Sequence, residues 1–140
     1  MGMAVEMQTI DGVNVSRLVK ALGKFELFMA NDKTEQERAG IVQAFEYCFE
    51  LSWKIMKRLL DNRGQIANSP RETFRMAALE GFVGDPELWF DFLKKRNLIA
   101  NAYNENYLND EVYSNEVLSV RHEFAAEIKA FLKNIGAFNY

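Results

Sequence analysis

The chain has 140 residues, 49% hydrophobic and 26% charged, the size and make-up of one soluble globular domain with a single core. Its formal charge of -3 at pH 7 excludes bulk electrostatic binding to nucleic acid, which needs an excess of Lys and Arg, so any such binding must rest on a local basic patch. Cys48 is the only cysteine, which excludes an intramolecular disulfide and a thiolate metal cluster.

The opening stretch "MGMAVEMQTIDG" has no basic region followed by an apolar one, so no signal peptide is expected. No apolar run reaches the roughly 18 residues of a membrane span. A cytoplasmic protein is the expectation. With only two prolines, long uninterrupted helices can form. From about Asn14, Leu18, Ala21, Leu22, Phe25, Phe28 and Met29 recur at three- and four-residue spacing, predicting a first helix closed by Ala30-Asn31-Asp32. Thr34 and Glu37 form a capping-box pattern for a second helix, which should run to about Asn62 with Gly64 as its stop. Its polar stripe is Gln43, Glu46, Glu50, Lys54, Lys57 and Asp61. The opposite surface, from Ile41 through Phe45, Phe49, Trp53 and Met56 to Leu60, is wide, as suits a central bundle helix or a subunit interface.

Ser69-Pro70-Arg71-Glu72 starts a short helix through about Glu80, ended by Gly81. Asp85-Pro86 starts the next, reaching about Tyr103. Asn109 or Asp110 should cap a last helix whose inward residues run from Tyr113 and Val117 to Ile135, stopped by Gly136. No strand is predicted. The expected fold is all-α: one domain over residues 1–140, an antiparallel up-and-down four-helix bundle with one additional short helix.

Most enzyme chemistry lacks its residues. The one histidine, His122, has no second metal ligand beside it and reads as a solvated or edge residue. There is no Gly-rich phosphate loop and no paired Glu-x-x-His motif, so neither a metal nor a cofactor is expected. Glu46 and Glu50 lie one turn apart, but Glu50 precedes Lys54 in the favourable i,i+4 order, and the reading is a solvated face. Cys48, among Phe45, Phe49 and Leu51, reads as a buried structural thiol.

The exception is "LKKRNLIANAYNE", Leu93 to Glu105. On an ideal helix with Trp89 at zero, Phe92, Leu93, Ile99, Ala100 and Tyr103 fall within about 80° of it, and Arg96 lies among them at about 340°. A guanidinium cannot be neutralised, so on an apolar seam it needs an acceptor, a cleft or a route outward. The spacing allows two readings, an ion pair within the bundle and an Arg presented to an anion such as a phosphate. Lys94, Asn97 and Asn101 point to another side. Asn101 converges with Arg96 only if the helix ends or bends there.

"RNLIANAY" resembles the Arg-x4-His-x-Tyr signature of HEPN domains, in the branch of nucleotidyltransferase substrate-binding proteins. "ERAGIVQAFEYCFELSWKIMK" (Glu37 to Lys57) and "SPRETFRMAALEGFVGDPELWFDFLKKRN" (Ser69 to Asn97) resemble the same branch. The resemblance implies a four- to five-helix bundle that dimerises and associates with a minimal nucleotidyltransferase in a two-component, toxin–antitoxin-like system. It also implies a metal-independent ribonuclease in some members, in which Arg and His act on RNA and the partner attaches AMP to the motif tyrosine. On this chain Arg96 matches the Arg and Tyr103 the tyrosine, the candidate for modification. The pattern departs at Asn101, where the family has His. An amide hydrogen-bonds but does not titrate, so it cannot shuttle a proton from a 2′-hydroxyl. The resemblance with this departure implies a non-catalytic subunit that binds the nucleotidyltransferase and offers Arg96, Asn97, Asn101 and Tyr103 to nucleotide, RNA or partner. The alternative is a ribonuclease with a degenerate motif.

Overall fold

Several helix starts along this chain are set by side chains that answer the unpaired amides of a first turn. In a computed structural model that describes residues 8–104 and 115–137, the Thr34 hydroxyl accepts from the Glu37 amide at 3.0 Å. The Glu37 carboxylate accepts from the Thr34 amide at 2.9 Å, completing the capping box. Helix α1 is Ser16–Met29, α2 is Glu35–Asp61, α3 is Pro70–Leu79, α4 is Pro86–Asn104 and α5 is Arg121–Asn134. Ser69 caps α3 by accepting from the Glu72 amide at 3.1 Å, and Asp85 caps α4 by accepting from the Glu87 amide at 2.9 Å. The stops fall on Gly64, Gly81 and Gly136, with φ of 76°, 78° and 87°, where a side chain would be strained.

This is the expected all-α bundle, with three differences from the sequence reading. A small antiparallel hairpin pairs Thr9–Ile10 (β1) with Val13–Asn14 (β2), in the register Thr9 with Asn14 and Ile10 with Val13. Its turn is Asp11-Gly12, both at positive φ, the type I′ arrangement that Asp-Gly favours. Two-residue strands are too short to show alternation, which is why periodicity does not find them. The hairpin ties chain segments together: Asn62 donates to the Asp11 carbonyl at 2.8 Å, and the Gln8 amide group donates to the Ala137 carbonyl at 2.6 Å.

The last helix is interrupted. Residues 115–118 are helical and a turn at 119–120 precedes α5. Here the Ser119 hydroxyl donates to the Glu116 carbonyl at 2.8 Å, and the Val120 amide reaches back only three residues, to Val117. A serine that bonds its own backbone competes with the regular ladder. The expected caps Asn109 and Asp110, and Tyr113, lie outside the described residues. The third difference concerns Glu72, which accepts from the Asn68 amide at 3.2 Å rather than from Ser69, so the second capping box closes one residue early.

Helix α2 is the central element, in contact with α1, α3, α4 and the hairpin. Its wide apolar face is buried within the chain, from Ile41 to Leu60, with Trp53 half-buried. The core is a chain of rings centred on Phe124 of α5. Its ring lies 4.6 Å from Phe45, 5.0 Å from Phe92, 5.4 Å from Phe25 and 6.2 Å from Trp89, centroid to centroid. One side chain thus joins α1, α2, α4 and α5, mostly edge to face as ring quadrupoles prefer. Among the described residues no helix is long and apolar enough to cross a membrane.

Truncating this hub should therefore loosen four helices at once. Phe124→Ala is expected to lower the unfolding free energy by about 3–5 kcal/mol, seen in urea denaturation as a lower midpoint. Thr34→Ala should cost only about 1 kcal/mol.

Candidate functional site

Helix α4 carries the anomalous arginine on a seam whose other members are buried. Trp89, Phe92 and Ile99 are each 3% exposed or less, and Arg96 lies one turn after Phe92. Its side chain remains 30% exposed. The seam leaves the guanidinium one direction in which to find charge, towards α2, and there it meets Glu50.

Arg96 Nη2 donates to Glu50 Oε1 in a short ion pair. Nη1 donates to the Asn97 side-chain oxygen at 3.2 Å, and the guanidinium lies 5.8 Å from the centre of the Phe49 ring. The second Glu50 oxygen accepts from the Trp53 indole N–H at 3.1 Å and faces Lys54 at 3.9 Å. Glu46, one turn before Glu50, is also half-buried. Burial raises its carboxyl above the usual range, Arg96 pulls against that shift, and the Glu50 carboxylate adds to it. One guanidinium between α2 and α4 thus pairs with Glu50 and acts through its charge on Glu46.

The solvated-face reading of Glu46 and Glu50 is corrected here. The i,i+4 contact between Glu50 and Lys54 exists, but both acids are half-buried and act across helices. The signal for this was already available: an arginine on an apolar seam needs an acid on the facing helix. Glu46 and Glu50 border Phe49 and Trp53 there. Trp53, read only as apolar surface, supplies the hydrogen bond that helps hold Glu50.

The expected site residues separate. Asn97 is exposed and touches Arg96. Asn101 is exposed, and α4 stays helical through Asn104, so the bend that would swing Asn101 towards Arg96 is absent. Tyr103 belongs to α4, but its side chain lies outside the described residues. His122 is exposed on α5. Cys48 is fully buried and its thiol is pushed up to about 12 by burial, too high to supply a thiolate nucleophile. Among the described residues no cluster of His, Cys, Asp and Glu could hold a metal ion.

Residues 13–136 match the family described as nucleotidyltransferase substrate binding protein like. Over 72 residues the chain is 35% identical to a protein of Haemophilus influenzae (strain ATCC 51907 / DSM 11121 / KW20 / Rd) named probable ribonuclease HepT. That match takes in 48% of this chain and 49% of the other, so the chain spans about half the length of the curated relative it matches. The fold is similar to the crystal structure of a protein from Thermus thermophilus, with a TM-score of 0.71 and 24% identity over 85% of this chain and 98% of that one.

The carboxylate pair should be visible in stability against pH. Because the Glu46 carboxyl is raised, the folded protein keeps a proton that the unfolded chain releases near the ordinary value of 4.5. The charged form therefore detracts from stability at neutral pH, and this loss is relieved as pH falls. Glu46→Gln is expected to raise the urea midpoint at pH 7, with the gain shrinking as pH falls through the raised carboxyl and gone once pH is below 4.5. Arg96→Ala should cost about 1–2 kcal/mol, from a charge-assisted bond discounted for partial exposure, and should move the Glu46 carboxyl higher in an NMR titration.

Proposed function

Since this chain belongs to the nucleotidyltransferase substrate binding protein like family, we propose that it is a non-catalytic binding subunit. It associates with a minimal nucleotidyltransferase in the cytoplasm, pairs with a second copy of itself, and offers Arg96 and its surroundings to an anionic group. One observation carries this reading: Arg96 is held in place by Glu50 and Asn97 while Asn101, at the motif position of the histidine, is exposed and non-titrating. A guanidinium has five N–H donors, so Arg96 keeps donors for a phosphate oxygen after meeting both neighbours. Such a site can position a phosphate, but the motif supplies no group to take a proton from a 2′-hydroxyl. Tyr103 is the residue to which a nucleotidyltransferase partner would attach AMP.

The relative named probable ribonuclease HepT favours a second reading, a metal-independent ribonuclease with a weakened motif. The two are separated by incubating the purified protein with single-stranded and structured RNA in EDTA, and by co-purifying it with its nucleotidyltransferase from the native operon. The expected result is a stable complex and intact RNA. Cleavage lost in Arg96→Ala and enhanced in Asn101→His would replace the binding role with the catalytic one.

A further inference from the structure

A second feature stands apart from the Arg96 cluster, in an open groove of about 620 Å³ between α1 and α2. Helix α1 lines one wall with Arg17, Lys20 and Lys24, which fall on one face at three- and four-residue spacing. Helix α2 lines the other with Gln43 and Tyr47, set around the small residues Gly40 and Ala44 that leave the groove its depth. Phe28 closes one end. No carboxylate is among the lining residues.

Two properties of this groove bear on what it can bind. Elsewhere several lysines are matched: Lys57 meets Asp61, Lys95 meets Asp91 and Glu116, and Lys129 meets Glu26. Among the described residues, Arg17, Lys20 and Lys24 have no such partner, so three like charges gather in a chain of net charge -3. The aromatic rings beside them are turned outwards, with Tyr47 54% exposed and Phe28 40% exposed, whereas most large aromatic side chains among the described residues are buried. Cations in a row with exposed rings and an amide opposite are what an unpaired nucleic-acid strand requires: charge for successive phosphates, flat faces for the bases and a hydrogen-bonding group at their edges. At about 1.5 Å rise per residue the three cations span about 10 Å of helix, a length that a strand can follow with neighbouring phosphates.

We propose that the α1–α2 groove binds single-stranded nucleic acid, its phosphates on Arg17, Lys20 and Lys24 and a base stacked on Tyr47. The sign of the overall charge does not oppose this, because the patch is local and salt-screened from distant acids. None of the groove's lining residues belongs to the Arg96 cluster, and the proposal does not rest on the binding role proposed there.

Fluorescence anisotropy with a labelled oligouridylate of about ten nucleotides, within the strand lengths such surfaces cover, tests the assignment in the whole protein. Arg17→Glu/Lys20→Glu/Lys24→Glu is expected to weaken binding at least tenfold. It should also flatten the salt dependence by about 2 in log–log slope, as three single-strand phosphate contacts would. Tyr47→Ala should weaken binding several-fold without changing that slope. All four side chains substituted in the groove are exposed, so thermal midpoints should stay near wild type. The milder Lys20→Gln/Lys24→Gln keeps the test intact if the triple reversal does not fold. Binding unaltered by these substitutions would overturn the proposal. So would equal binding of a duplex, or equal competition by polyglutamate, the latter assigning the groove to an acidic protein segment.

Discussion

The constraint on which the candidate site depends is a charge that cannot be removed, placed where the bundle is otherwise apolar. Arg96 follows Trp89 and Phe92 along the buried seam of α4, and an acceptor on the facing helix makes that position tolerable. Glu50 supplies it, and the requirement propagates. Glu50 is itself fixed by the Trp53 indole, and Asn97 takes a second guanidinium donor. Glu46, one turn before Glu50, has its carboxyl raised by burial and by the Glu50 charge while Arg96 pulls the other way. What is a row of separate side chains in the sequence becomes one electrostatic unit bridging α2 and α4.

The aromatic core gives that unit a rigid base. Phe124 locks α1, α2, α4 and α5 together through ring contacts, and the Phe49–Phe74–Trp89 contacts carry the packing to α3 and α4. Phe49 lies directly before Glu50 and also approaches the Arg96 guanidinium. The rings that hold the bundle are therefore the ones that aim the ion pair. Rotating α4 by one residue would withdraw Arg96 from Glu50 and expose Phe92 or Ile99, so packing and electrostatics favour the same register.

Much of this architecture is legible in the residues. Capping at Thr34, Ser69 and Asp85, stops at Gly64 and Gly81, and the seam through Trp89, Phe92, Arg96 and Ile99 all follow from local chemistry and helical period. The hairpin is hidden because two-residue strands have no period to detect, although Asp11-Gly12 carried the turn signal. The break at Ser119 is hidden because a serine within an apolar helical pattern only sometimes turns its hydroxyl onto the backbone. The Arg96–Glu50 pair shows the boundary between the two kinds of information. The need for an acid is visible on α4 alone, whereas the choice of Glu50 depends on how two helices, more than forty residues apart in sequence, come to face each other.

The proposed role follows from the asymmetry of the motif: a positioned guanidinium remains, and the titrating group does not. Its most direct test is the affinity of the nucleotidyltransferase for the double variant Arg96→Met/Glu50→Gln, measured by calorimetric titration against wild type. This pair of changes keeps the volume of the seam and removes both members of the Arg96–Glu50 ion pair together, so neither is left half-buried without the other and the bundle itself should survive. The account predicts a stably folded protein whose affinity for the partner falls at least tenfold. A folded double variant that binds the nucleotidyltransferase as tightly as wild type would contradict it.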